Sequence, residues 1–314
     1  MPETAPLVAT PDAPIPDGGA AEWFVGAGGA RLRAALFPAV GQTRGSVVLS
    51  PGRTEPIEKY FETVSDLTAR GFVVLVHDWR GHGLSIRMLP DRLLGHAHGY
   101  KDFLTDYAAL LDAFEARLPK PWIAMGHSMG GCLTLLAMAC GEARFSAAIL
   151  SAPMLGLQTG SIPLPVARSM ARLMSATGRG GRAARPGGPE WAPFEENVLT
   201  HDRARYQRNI AQVEACPELA LGAPTLGWLD FAFSAVGVLQ RGPGVRRIAV
   251  PVHIVAAGED RLVDNAGLKR VAERAPKGVF SMIPGAFHEI LQETDVIRAA
   301  FWRDFDGVAD AVAR

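Results

Sequence analysis

The chain has 314 residues, 48% of them apolar and 20% charged, long enough to bury a large core and too apolar for general disorder. Lys plus Arg and Asp plus Glu number 32 each, so no net field recruits a polyanion, which argues against a nucleic-acid binder. Three cysteines (Cys132, Cys140 and Cys216) are too few and too scattered for a disulfide framework or a CxxC metal site. Their apolar surroundings predict small buried hydrophobes in a reducing compartment.

The first twenty residues hold five prolines, and residues 1–20 read as a flexible tail. No Lys or Arg precedes Arg31 and no apolar leader core is present, so a cytoplasmic protein is expected. The apolar run at 132–140 falls well short of the roughly 18 residues a membrane span needs. Residues 22–26 and 32–37, separated by a glycine-rich stretch, predict a hairpin. Strands are predicted at 46–50 and 72–77, with a helix over 57–70 between them. A helix at 100–118, a strand at 122–125, a helix at 129–140 and a strand at 147–150 follow. After an interruption the alternation resumes: strand 252–256, helix near 266–275, strand 279–283 and a helix from about 289. Continuous apolar strands between helices imply an α/β fold, with a mostly parallel central sheet flanked by helices over 21–153 and 245–314.

The interruption, 154–244, is rich in proline and carries helical pieces full of Leu, Met and aromatics. Ninety residues are too many for one loop in a compact domain, so a helical lid inserted over the carboxyl edge of the sheet is expected. Its stretch 159–189 has five arginines (Arg168, Arg172, Arg179, Arg182 and Arg185) and no acidic residue. Such a segment suits peripheral contact with an anionic membrane, at the inner face for a cytoplasmic protein; the alternative is a solvated lid.

Gly126-His127-Ser128-Met129-Gly130 has the form GxSxG. The pattern alone is weak in a glycine-rich chain, but here it ends a predicted strand and opens a predicted helix, the setting of a nucleophile elbow. A serine hydroxyl needs a base, and the base an orienting carboxylate. Both follow in the order serine, acid, histidine: Asp260 in the loop after strand 252–256, and His288 in the loop after strand 279–283. Glu259 and Asp264 are rival carboxylates, readable as a surface charge or a helix cap. His96 and His98 have an HxH spacing without a third ligand cluster, so no metal and no other cofactor is called for. No oligomeric state is specified.

The stretches 50–60, 78–85, 126–131, 258–263 and 285–288 together resemble the α/β-hydrolase superfamily, in the branch of monoacylglycerol lipases and bacterial lysophospholipases similar to lysophospholipase L2. Many relatives open the first stretch with His-Gly, where this chain has Pro51-Gly52. The resemblance implies an oxyanion hole made by the backbone N–H groups of Arg53 and Met129. It implies a serine carboxylic-ester hydrolase working through an acyl-enzyme on a small lipid or ester. Ser128 would be the nucleophile, His288 general base and then acid, and Asp260 the group that fixes the imidazole. Arg53's side chain reads either as a solvated loop charge or as a contact for a phosphate or glycerol head. The lid's Leu155, Leu157, Leu164, Met170, Leu173, Met174, Trp228, Leu229, Phe231 and Phe233 are candidates for an acyl channel, or for lid-to-body packing. Two other readings stand beside this one. A peptidase of the same fold would need a carboxylate for the substrate amine, such as Glu190, Glu195 or Glu196. A non-catalytic binding protein would not need the complete Ser128, Asp260 and His288 set.

Overall fold

The computed structural model describes residues 3–185 and 192–313. Nine strands form one sheet: β1 (Thr4–Ala5), β2 (Ala20–Val25), β3 (Arg31–Phe37), β4 (Gly45–Ser50), β5 (Phe72–His77), β6 (Trp122–His127), β7 (Ala147–Ser151), β8 (Val252–Ala257) and β9 (Gly278–Ile283). Their order across the sheet is β1-β2-β3-β5-β4-β6-β7-β8-β9. Pairing is antiparallel from β1 to β5 through β3, and parallel from β5 through β4 to β9. The mostly apolar, buried runs of β4 to β8 sit where both faces are covered, as parallel strands require. One face is packed by α2 (Lys101–Phe114) and α3 (Ser128–Ala139), together with α7 (Asn265–Ala272). The other is packed by α1 (Phe61–Ala69) and α8 (Asp295–Val312).

The expected helix over 57–70 divides: 57–60 is a tight 3-10 turn and only Phe61–Ala69 is α-helical. The helix expected from 289 begins at Asp295, after a 3-10 turn at Ile290–Gln292. The N-terminal segment departs further from expectation. Residues 3–13 are no loose tail: Thr4–Ala5 extends the sheet edge, and Ala5 and Ala13 are buried. Val8 N–H donates to Glu58 at 3.2 Å, and the Pro6 carbonyl accepts from Arg33 at 2.9 Å. Proline forbids a central strand but not an edge one, so five prolines did not preclude a strap along the edge. Beneath this strap Arg33, fully buried, pairs with Glu58 and Asp78 at 2.7 Å each.

The segment between β7 and β8 carries α4 (Leu164–Ala176), α5 (Arg203–Ala215) and α6 (Leu226–Arg241). The three do not share one environment. α6 buries Phe231, Ala235 and Leu239 in the same core as α3, whereas α4 buries only Ala167 and Ala171, packed with Phe233 of α6. Of the cysteines only Cys132 is the buried hydrophobe expected; Cys140 is exposed and Cys216 intermediate. Among the described residues no helix is long and apolar enough to cross a membrane.

Candidate active site

In an open parallel sheet, the crevice lies outside the strand carboxyl ends where the strand order reverses direction. Here that point is β4, which has β5 on one side and β6 on the other. Ser50 at the end of β4 pairs in register with Gly126 of β6, so the loop at 51–56 and the Ser128 turn are neighbours. Ser128 sits at φ +48°, a conformation that L side chains rarely adopt, at the junction between β6 and α3. Such strain costs about 1–3 kcal/mol and persists only where the surroundings over-determine it. The surroundings do so: a Cβ at Gly130 would collide with the Ser50 and Pro51 carbonyls, so only glycine allows α3 to close onto β4. The Ser128 carbonyl also accepts from Met154 N–H at 2.9 Å.

The loops after β8 and β9 bring the other two predicted groups to this turn. His288 Nε2 lies 2.9 Å from Ser128 Oγ, and His288 Nδ1 lies 2.7 Å from Asp260 Oδ2. The second Asp260 oxygen accepts from Leu262 and Val263 N–H at 2.8 and 3.0 Å, which fixes the carboxylate. Burial favours the neutral forms, but each partner more than offsets it: Asp260 is held below the ordinary carboxylate range and His288 is raised above 6.5. This row can pass a proton from hydroxyl to imidazole and stabilise the imidazolium that results. The rival carboxylates lie elsewhere. Asp264 caps α7, accepting from Ala266 and Gly267 N–H at 3.0 and 3.1 Å, and Glu259 is not among the lining residues.

Met129 opens the first turn of α3, whose N–H groups have no intrahelical acceptor. Arg53 lines the same cavity as Ser128, and its guanidinium hydrogen-bonds the Gly222 carbonyl and lies 5.3 Å over Trp228, tying the loop to the lid. Its side chain is therefore not the solvated loop charge considered above. His127 is buried, with Nδ1 3.0 Å from the Ser151 carbonyl, and burial pushes its pKa down to about 4. His96 bonds Thr225, the N-cap of α6, at 2.8 Å, so the HxH pair serves the lid. Among the described residues no three His, Cys, Asp or Glu stand together as a metal site.

The cavity over Ser128 holds about 280 Å³. Of the predicted channel residues only Leu157 and Trp228 line it. Leu164, Met170 and Leu173 point to solvent, and Leu155, Phe231 and Phe233 are buried in packing. Its apolar wall comes instead from Met154, Leu199, Val213, Leu219, Leu221, Leu262 and Val263. Its polar lining includes Glu55, Lys59, Glu289, Asn209 and Gln212, none of them singled out by the sequence reading. Lys59 Nζ bridges Glu55 at 2.8 Å and Glu289 at 2.6 Å. The one signal was local: Glu55 and Lys59 lie four apart, a spacing that allows a pair.

A family model described as "Serine aminopeptidase, S33" matches residues 41–295. Lysophospholipase L2 of Escherichia coli is 35% identical over 265 residues, covering 81% of this chain and 76% of that protein. A monoacylglycerol lipase of Mycolicibacterium smegmatis is 29% identical, covering 87% and 91%. In fold, the chain is similar to a soluble variant of monoglyceride lipase from Saccharomyces cerevisiae, with TM-score 0.75 and 19% identity over 98% of this chain and 99% of that one.

Proposed function

The chain belongs to the serine aminopeptidase family of the α/β-hydrolase superfamily, and from that membership and the geometry above we propose a carboxylic-ester hydrolase acting on a lysophospholipid or monoacylglycerol. Ser128 attacks the ester carbonyl while His288 takes its proton, with Asp260 holding the imidazole in the reactive tautomer. The backbone N–H groups of Met129 and Arg53 stabilise the alkoxide, His288 returns the proton to the leaving alcohol, and water then cleaves the acyl-enzyme.

The observation that carries the substrate class is the mixed lining of the cavity at Ser128. Apolar Met154, Leu157, Val213, Leu219 and Leu221 share it with polar Lys59, Glu289, Asn209 and Gln212. A single acyl chain on a polar head can use both kinds of lining; a triacylglycerol has no polar head for the second. The peptidase reading finds less support. Glu195 is exposed and paired with Arg203, Glu196 is exposed, and neither lines the cavity; Glu190 lies outside the described residues. The acidic groups that do line it, Glu55 and Glu289, both bond Lys59. The test is a panel of lysophospholipids, monoacylglycerols, triacylglycerols and aminoacyl amides, run with wild type and Ser128→Ala. We expect turnover of the first two classes only, abolished by the substitution. Preferred cleavage of aminoacyl amides, or turnover that survives Ser128→Ala, refutes the proposal.

The partner surface proposed for this enzyme is α4. Val166, Met170 and Leu173, spaced along one helical face, are 55%, 45% and 63% exposed, far more than apolar side chains on a packed helix. Arg172 is exposed on the same helix and Arg168 is half-buried; Arg179 and Arg182, also exposed, follow α4 in the chain, and Arg185 lines the cavity. Cations beside an exposed apolar stripe suit an anionic lipid surface.

A further inference from the structure

The loop 51–56 must hold the Arg53 N–H where the alkoxide oxygen forms, yet its sequence offers little intrinsic order. It contains one glycine, and Thr54 stands at φ +64°, a conformation unfavourable for a β-branched residue. Its two ends are tied to the body: Trp79 Nε1 donates to the Pro51 carbonyl at 2.9 Å, and Ile57 N–H donates to Asp78 at 3.0 Å. Between these anchors lies Glu55, whose fully buried carboxylate divides its work by atom. Oε2 accepts from Gly52 N–H and from Tyr60 Oη–H, the latter at 2.6 Å, while Oε1 takes Lys59 Nζ at 2.8 Å. Gly52 is matched to this contact, since a Cβ there would meet Glu55 Oε2 at 2.5 Å.

We propose that Glu55 is the positioning residue of the oxyanion loop: its Oε2 holds Gly52 inward and so sets the next peptide, that of Arg53, against Ser128. The inference rests on the serine-hydrolase reading above. An anion this close to a developing alkoxide would oppose the reaction if left bare. Lys59 lessens that objection, because its ammonium sits between Glu55 and Glu289 and offsets one of the two carboxylate charges there. The ammonium and the Tyr60 hydroxyl outweigh burial in keeping Glu55 ionised, so it remains an acceptor across the working pH range. The arrangement also explains how Pro51-Gly52 can stand where many relatives have His-Gly: the loop is held from its far side, by Glu55, and needs no side chain at position 51 to do it.

The division of labour between the two oxygens makes the role testable. Glu55→Ala removes the inward hold. Glu55→Gln keeps an oxygen for Gly52 and Tyr60 and gives up only the bond to Lys59, which retains Glu289. Misplacing one oxyanion donor costs roughly a hundredfold or more in kcat, so Glu55→Ala should lose about that factor in kcat, over and above whatever change in KM follows from its place in the cavity lining. A trifluoromethyl ketone analogue, which forms a tetrahedral adduct on the serine, should weaken more than a non-hydrolysable ether analogue does, and the ratio of the two losses should match the loss in kcat. Glu55→Gln should stay within about tenfold of wild type on every measure. Should Glu55→Ala fail to fold, Gly52→Ala displaces the same contact without removing the carboxylate and should give the same pattern. Equal weakening of ketone and ether, or a Glu55→Gln variant as impaired as the alanine or glycine-site variant, overturns the proposal. Turnover surviving in Ser128→Ala would strike the serine reading instead, an outcome separate from any Glu55 result.

Discussion

Replacing Asp260 by Asn removes one negative charge from the hydrogen-bonded row and leaves the shape of the side chain almost unchanged. Asp260 Oδ1 is committed to Leu262 and Val263 N–H, so the amide oxygen of Asn keeps that place and its NH₂ is turned toward His288. His288 Nδ1, now 2.7 Å from a donor rather than an acceptor, must present its lone pair there and carry its proton on Nε2. That is the tautomer that cannot take a proton from Ser128 Oγ. The expected loss in kcat is roughly 10³–10⁴, or about 4–5.5 kcal/mol at 1.36 kcal/mol per decade, the size known from serine proteases whose aspartate becomes asparagine. The assay is steady-state hydrolysis of a short p-nitrophenyl ester and of the preferred lipid, with circular dichroism to establish folding. Glu259→Gln and Asp264→Asn serve as controls and should cost less than tenfold, since Asn caps a helix nearly as well as Asp. A folded Asp260→Asn enzyme within tenfold of wild type, or an Asp264→Asn variant that is the more impaired, refutes the reasoning.

Three further outcomes are expected. His288 works as a base only when neutral; burial lowers its pKa, but Asp260 raises it more, so kcat/KM should decline on acidification along a limb centred above 6.5. A limb centred well below 6.5 would contradict the assigned pair. Arg168→Gln, Arg172→Gln and Arg179→Gln together should weaken sedimentation with anionic vesicles, more at low salt than at high, while hydrolysis of a soluble ester hardly changes; equal binding at low salt removes the membrane face. Arg33→Met strands Glu58 and Asp78 in the core, so urea unfolding should show a loss of about 3–5 kcal/mol, and a loss under about 1 kcal/mol would show that the buried cluster relaxes freely.

The sheet was legible because β4, β5, β6 and β8 are short apolar runs bounded by turn residues, a pattern that parallel strands covered on both faces must have. The Ser128 turn was legible for a related reason: a GxSxG between a strand and a helix leaves little else for the backbone to do. Asp260 and His288 followed from their places after β8 and β9, not from their residue types. What resisted reading depends on partners distant in sequence. Lys59 and Glu289 are 230 residues apart, and no local spacing announces their bond. The acyl-channel candidates on α4 neither line the cavity nor pack on the body, because helical periodicity gives an apolar face without saying what it faces, and on α4 much of that face looks outward. The strap at residues 3–13 was lost to composition, since proline marks extended chain whether or not an edge is there to receive it.

Ser128 and His288 are separated by 160 residues, and Asp260 and His288 by 28. The relay therefore exists only after β8 and β9 have docked beside β7, across the long segment that carries α4, α5 and α6. A nascent or half-folded chain holds the serine turn without its base. Such a chain should lack the hydrolysis proposed for the folded protein. Regain of hydrolysis during refolding should accordingly report the docking of β8 and β9 rather than collapse.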